Sequence, residues 1–527
     1  EKSEFIDCGK QGVNKPLIDA LNDRGILKFY ECNFTFSSSD MTFNILQTNN
    51  NGALFEGCRF TRCGDNTIKL GTGSASNPEG TFTFKNNYIT MNEGRFIQAD
   101  KLRSQPIIEN NIFESITLTN KYLISISHNQ GMIELDNNTF SQITSNGETN
   151  CDCGGSSISL TSSNSDYTIR YNNCKFNTNI NNHENAPNNH GGAIQTGFSS
   201  NSEANLELIS CEFINNNVKG GHGGGVAIRT SKTIKIENCK FEDNTANNEG
   251  DTSGSKGFGG AIYISTSFTS NNEDKCSTSV IIKGCTLNNN KGYQGYGIYL
   301  QGQINCDTTI TINDQNEFNN NVGIMPHQTG GCIIASEIIS ISEEEIEESN
   351  SFGETGEIKH FLYVDSFGNE LPDPTETPTE TPTESPSQSP TESPSMTPLP
   401  SATPQRTYYP GTVNTYIDRN ITDGSEIPTG QIQGGQDNIK QISGCRFSNI
   451  GAPNNRNYYI QIHSEVLFYD NIFENDVNPT GDSAGVLWQN YNGRFTITNC
   501  KFIRIASKMS NGFVINTNYN SGTANNL

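Results

Sequence analysis

The chain is short of positive charge. Its 34 Lys and Arg face 57 Asp and Glu, a formal net charge of −23. That balance argues against nucleic acid and anionic membrane surfaces as partners, and for a self-repelling exterior. Apolar residues are also scarce, at 32%, below the usual share for a globular protein. No apolar run reaches the ~18 residues that a membrane-spanning helix needs. There is one Trp among 527 residues. No charged-then-apolar leader follows Glu1, so any secretory signal is expected to have been removed or to lie outside this segment. The length exceeds one ordinary domain and predicts several domains or a repeat array.

Two further scarcities bear on location and chemistry. With roughly 70 Asn, and Ser plus Thr near a fifth of the chain, chance predicts about a dozen Asn-x-Ser/Thr acceptors. Only Asn33, Asn137 and Asn420 qualify. This suits a chain that passes a glycosylation machinery and has lost acceptors where a sugar would clash. The 15 Cys point the same way, to an extracellular or cell-surface location. Also missing are the strings Asn-Thr-Asp and Asp-Asp, which in polygalacturonase-type β-helices supply the paired carboxylates that glycoside cleavage needs.

What the chain does have is a repeat. A small or polar residue, then Cys or Asn, then any residue, then a large apolar one recurs through the chain. It reads ECNF at Cys32, GCRF at Cys58, NNYI at Asn87, NNIF at Asn111, NNTF at Asn138 and NCKF at Cys174. It continues as SCEF at Cys211, NCKF at Cys239, GCTL at Cys285 and QNEF at Asn316, and returns at Cys445, Asn471 and Cys500. The spacing of roughly 24 to 37 residues is that of solenoid repeats. Each phrase ends an alternating run such as TIKIENCKF (233–241), the period of a half-buried strand. In that run Ile234 and Ile236 fall on the opposite face from Phe241 if the strand is straight, so a bend is predicted near Asn238.

A second run precedes the phrases: GGAIQT, GGGVAIRT, GGAIYIS, GYGIYL, GGCIIAS. With FxxN as a third short strand, three strands per coil predict an all-β fold, a parallel β-helix from near residue 25 to about 340. Like residues would stack at ~4.8 Å along its axis. The Cys-or-Asn position would form an inward ladder. Phe34, Phe60, Phe113, Phe140, Phe176, Phe213, Phe241 and Phe318 would form one inward column. The pairing of GGAI with FxxN between about 154 and 335 resembles the repeat of the polymorphic outer membrane protein (Pmp) family. That resemblance implies a right-handed parallel β-helix at a cell surface, associated with adhesion and like protist surface proteins. No autotransporter barrel accompanies it.

Residues 372–404 place a proline at every fourth position from Pro374 to Pro398. Such a segment forms neither helix nor sheet and would extend roughly 100 Å as polyproline II. Its composition reads as an O-glycosylated stalk, with Thr375, Thr377, Thr379, Thr381 and Thr383 as acceptors. The expected organisation is a β-helix domain over 1–371, a linker over 372–407 and the start of a second β-helix segment over 408–527. The acidic run SEEEIEESN before the linker reads as a solvated face.

The candidate site is GGHGGGVAIRT (220–230). His222 between glycines, with Arg229 and Lys232 downstream, is a pattern that polysaccharide-cleaving β-helices use. The carboxylates such chemistry needs are missing nearby. The glycines recur in neighbouring coils and the His does not, so His222 reads as an exposed turn residue. His183 and His190 read as solvated loop histidines, and Cys151 and Cys153 lack the spacing of a zinc or redox pair. No catalytic residue, metal or cofactor is expected. Two classes stay open: a non-catalytic surface, structural or adhesive protein, and a pectin-lyase-like carbohydrate-active enzyme. Cys276 and Cys306, in consecutive coils, are expected to form a disulfide, while ladder pairs such as Cys211 and Cys239 stay reduced. Asn33 and Asn137 should point outward as glycan acceptors. The chain stops mid-coil with nothing resembling a cap. Partners are therefore expected to be other copies or further modules end to end, in filaments, besides surface glycans or proteins.

Overall fold

A computed structural model describes residues 3–6, 17–20, 27–36, 46–48, 52–64, 67–70, 81–102, 104–119, 122–128, 131–146, 158–162, 167–182, 190–196, 204–229, 232–247, 257–265, 276–302, 306–324, 331–336, 343–353, 359–364, 370–371, 415–417, 420–421, 441–448, 460–462, 465–474, 477–478, 487–489, 494–503, 506–507 and 515–516. These form short strands in long parallel sheets, with one described helix, Glu343–Ser349. The chain visits three faces in turn. The first is a 10-stranded sheet from Leu27–Tyr30 to Cys306–Asn313, and the second a 21-stranded sheet carrying the Phe column. The third is a 9-stranded sheet through Ile158–Ser162 in the early coils and a 7-stranded one from Ile194–Thr196 onward. Along these sheets strands pair in parallel with their counterparts one coil on, as in Phe213↔Phe241 and Ile234↔Val280.

The corners explain the repeat phrase. Its first residue is left-handed: Asn86, Asn110, Asn137, Asn173, Ser210 and Asn238 have φ between 50° and 56°, and Gly57 and Gly284 take the same conformation. Asn tolerates that region better than other residues with a Cβ, and Gly has no steric penalty there. The turn at Asn238 resets the alternation, so that Cys239 and Phe241 face inward with Ile234 and Ile236, and all four are buried. All eight column phenylalanines are fully buried. Where Phe follows Phe the rings stack coil on coil, with centroids 4.9 Å apart for Phe113–Phe140 and Phe176–Phe213 and 4.7 Å for Phe213–Phe241, while Ile89 and Leu287 take the column position in two intervening coils.

The ladder is polar but satisfied. Asn87 donates from its backbone and side-chain amides to Asn111 Oδ1, both at 3.0 Å, and Asn111 repeats this onto Asn138 Oδ1 at 3.0 and 2.9 Å. Where the ladder residue is Cys, the thiol lies against a strand carbonyl, as Cys174 Sγ does against Leu135 O at 3.2 Å. The ten cysteines whose side chains are described are all buried thiols outside any disulfide, Cys211 and Cys239 among them. Cys276 and Cys306 are direct register partners on neighbouring parallel strands, and their side chains lie outside the described residues. Cys211 and Cys239 also sit one coil apart in matching register, so register alone does not separate a bridged pair from a reduced one. The ladder thiols are held inward against carbonyls, which does separate them. A Cys276–Cys306 bridge is the expected outcome in peptide mapping of non-reduced protein, and free thiols at both positions would contradict it.

At the far end the acidic run forms Glu343–Ser349. Glu344, Glu345, Glu347 and Glu348 are exposed, while Ile346 packs into the core. Asn350 then extends the ladder, accepting from Asn316 Nδ2 at 2.8 Å. Beyond it Glu370–Leu371 pairs antiparallel with Lys359–Val364, ending the parallel stacking there.

The strands after the linker do not stand apart. Lys501–Ile503 pairs with Glu4–Ile6 in the 21-stranded sheet, and Ile515–Asn516 pairs with Ile18–Ala20 in the 9-stranded one. The ladder crosses the same boundary, with the Cys500 amide donating to Ser3 Oγ at 3.1 Å. Phe5 stacks between Phe502 at 4.8 Å and Phe34 at 4.7 Å.

Candidate functional site

The glycine corner opens the 7-stranded sheet. Gly191, Gly223, Gly259 and Gly295 occupy equivalent corners with φ between 60° and 71°. The next glycine is held for another reason. A Cβ on Gly224 would lie 2.5 Å from Thr245 N and inside contact of Gly260 O, and Gly192 and Gly260 face the same obstruction from the coil beyond. Backbone therefore meets backbone at this corner, which only glycine permits.

This register aligns His190, His222, Phe258 and Gln294, each just before its left-handed glycine. The expectation for the two histidines is corrected here. The His does recur one coil away, and neither ring is a solvated loop group. His190 is buried and His222 half-buried. Their rings stack at 4.7 Å, and His222 stacks on Phe258 at 4.9 Å and on Tyr263 at 4.4 Å. The hydrogen bonds run along the same line. The His222 amide donates to His190 Nδ1 at 3.3 Å, and the Phe258 amide donates to His222 Nδ1 at 3.2 Å. Each Nδ1 is thus an acceptor for the next coil, which fixes the neutral tautomer protonated at Nε2.

Ala227, Tyr263, Tyr299, Ile334 and Leu362 form a small apolar cluster of their own on the other side of this sheet, apart from the main core. Tyr263 donates to Gln301 Oε1, and burial pushes its phenol up. Arg229 is half-buried at the end of its strand and acts electrostatically on Tyr263. His183, Cys151 and Cys153 lie outside the described residues. Among the described residues no three His, Cys, Asp or Glu side chains group as a metal site.

A second ladder escaped the sequence reading. The Asn of FxxN follows a left-handed residue (Thr178, Asn215, Asp243, Asn289, Asn320) and turns fully inward at Asn179, Asn216, Asn244, Asn290 and Asn321. Asn216 N donates to Asn244 Oδ1 at 3.1 Å and Asn244 N to Asn290 Oδ1 at 3.0 Å. Each Nδ2 also caps a Phe or Leu carbonyl of the preceding coil, at 2.8 to 3.1 Å. The signal was the fixed three-residue offset between Phe and Asn. Burial raises the Cys63, Cys174 and Cys239 thiols, and holds Cys500 up at about 11, so these thiols are poor nucleophiles at neutral pH.

Asn33 is half-buried between buried Cys32 and Phe34, and Asn137 is exposed at its corner with Nδ2 donating to Asn110 Oδ1 at 2.5 Å. The Asn420 side chain and Thr375, Thr377, Thr379, Thr381 and Thr383 lie outside the described residues. Comparison with known protein families, curated proteins and solved structures finds no match for this chain.

Proposed function

We propose that this chain is a non-catalytic extracellular surface protein, structural or adhesive, built as a right-handed parallel β-helix of Pmp-like coils. One observation carries the reading. The recurring inward asparagines spend their hydrogen-bonding groups on neighbouring coils, in the ladders Asn87–Asn111–Asn138 and Asn179–Asn216–Asn244–Asn290–Asn321, and His190 and His222 each commit the proton-accepting Nδ1 to a backbone amide of the next coil. A general base or acid needs a free proton-accepting or proton-donating atom beside substrate. What repeats here maintains a long stack, and a stack offers its outer faces for recognition. N-glycans at Asn33, Asn137 and Asn420, and O-glycans on the linker threonines, belong to the same reading.

Two measurements test it. Incubation with uronate polymers, with and without calcium, should release neither unsaturated products nor new reducing ends. Cleavage that disappears in His222→Ala would overturn the reading in favour of a pectin-lyase-like enzyme. In protein from its native source, intact-glycopeptide mass spectrometry should find Asn33 and Asn137 occupied. Unmodified Asn at both would remove the support for a secreted protein.

A further inference from the structure

His190 and His222 tie the glycine corner of three consecutive coils together. Nδ1 of His190 accepts from the His222 amide at 3.3 Å, and Nδ1 of His222 accepts from the Phe258 amide at 3.2 Å. The backbone returns a bond across each boundary: Gly191 N donates to His222 O at 2.7 Å, and Gly223 N donates to Phe258 O at 2.8 Å. His190 is anchored further through its own backbone. Its amide donates to Gln195 Oε1 and its carbonyl accepts from Asn181 Nδ2, both at 3.0 Å. In the next two coils Phe258 and Gln294 take the equivalent position, and neither side chain titrates. Proton sensitivity along this line is therefore confined to two rungs.

A proton on either Nδ1 reverses its role. An imidazolium donates from both ring nitrogens, so Nδ1–H would face a backbone N–H across the coil boundary. Two protonated rings would also bring like charges together, since their centroids lie 4.7 Å apart. The described strands around the corner supply no opposite charge. Ile180–Asn182, Ile194–Thr196, Asn217–Lys219, Val226–Arg229, Thr245–Asn247, Ile262–Ser265, Lys291–Gly292 and Ile298–Gln301 contain neither Asp nor Glu. Their ionisable side chains are Lys219, Arg229, Lys291, Tyr263 and Tyr299, and Tyr293 lies against Phe258. Side chains of these types keep one charge state between pH 7 and pH 5, and nearby cations disfavour a further positive charge.

We propose that His190 and His222 form an acid-released latch on the glycine corner. Neutral, the pair joins the coils of residues 190, 222 and 258. Protonated, the rings leave their amides, and Phe258 and Tyr263 lose His222 as a stacking partner. Release loosens the cover over Tyr263 and Tyr299, the aromatic part of the separate cluster on this sheet. The closed corner disfavours the charged form, so both histidines titrate below their unfolded value. The stability they contribute is present above about pH 6.5 and is lost as pH falls from there through the lowered values. If only the open corner takes up protons, lowering the pH from 7 to 5 raises its population roughly 25-fold for each histidine. The latch stands on the corner geometry and is independent of the surface-protein reading.

Hydrogen exchange of the full-length chain tests it, read by mass spectrometry on peptides that resolve the His222 and Phe258 amides. After correction for intrinsic exchange, both amides should lose protection from pH 7 to pH 5, by roughly 25-fold or more. The H190N/H222N double variant places an acceptor oxygen where each Nδ1 stands and removes the titration, so its protection should not change over that range. Unchanged protection in wild type would overturn the latch, and so would an equal loss in the double variant. Histidine ring titration by NMR in the wild-type chain gives a second reading that needs no variant, with both rings assigned by their contact with Tyr263. Both rings should titrate below about pH 6.5, and either one at or above that value would overturn the latch.

Discussion

Gly224→Ala is expected to cost roughly 4 kcal/mol or more, at the far end of what single substitutions do. The added methyl meets only backbone: Gly260 O, Thr245 N at 2.5 Å and Thr245 C at 2.6 Å. None of these is the tip of a flexible side chain. Relief requires the Gly224 corner to move from the next coil, which breaks the bonds from Gly224 N to Gly259 O and from Gly225 N to Ala261 O. Gly131→Ala is the control. Its φ is +72°, but nothing lies within 4 Å of the new methyl, so only the left-handed penalty of about 1 kcal/mol applies. Urea midpoints of the two variants decide the matter. Equal, small losses would mean that the coils do not approach backbone to backbone at this corner.

Asn244→Ala is expected to cost about 3–5 kcal/mol. Asn244 Oδ1 accepts from the Asn216 backbone amide at 3.1 Å and from Asn216 Nδ2 at 2.9 Å, while its own Nδ2 caps Phe213 O at 2.8 Å. Truncation leaves a buried N–H and a buried C=O unpaired, at about 1–3 kcal/mol each, besides a cavity. Asn244→Asp separates the hydrogen-bonding role from size. An ionised carboxylate still accepts from Asn216 but cannot donate to Phe213 O, so burial and that carbonyl raise its folded pKa above the unfolded value. The folded state then binds more protons than the unfolded state between the two values, and stability falls as pH rises through that window. The variant should gain stability relative to wild type on going from pH 7 to pH 4. Denaturation at both pH values checks this, and a pH-independent difference would contradict the ladder bonding.

Much of the stack was legible because its signals are one-dimensional. Phe241 follows Cys239 by two residues in coil after coil, and alternation in TIKIENCKF requires the break that Asn238 supplies with φ 53°. What stayed hidden needed the register between coils. Asn216 and Asn244 sit in runs of polar residues, where only the recurring three-residue offset from Phe213 and Phe241 marks the inward Asn against its outward neighbours Asn215 and Asp243. The alternation restarts at a second left-handed corner that only three residues separate from the first strand. His190 and His222 look unrelated in NNHGGAI and GGHGGGVAI, because Gly225 stands where the earlier coil has Ala193, although each His lies four residues before the register partners Ile194 and Val226. Aligned on their left-handed glycines they stack at 4.7 Å. Ser3 takes a ladder position with neither Cys nor Asn, so nothing in the sequence showed that Cys500 would donate to it. That one substitution hid the pairing of the post-linker strands onto the coil of Phe5.

The most direct test of the continuous stack is the maximum dimension of the full-length chain by small-angle scattering, extrapolated to zero concentration. Sixteen rungs of the Phe-bearing sheet, from Asn420–Ile421 through Lys501–Ile503 and Glu4–Ile6 to Ser351–Phe352, span roughly 70 Å at ~4.8 Å per step. With side chains and loops, a maximum dimension of about 90–110 Å is expected at that spacing. Two separate stacks held apart by an extended proline-rich stalk would exceed about 150 Å, and that result would contradict the account.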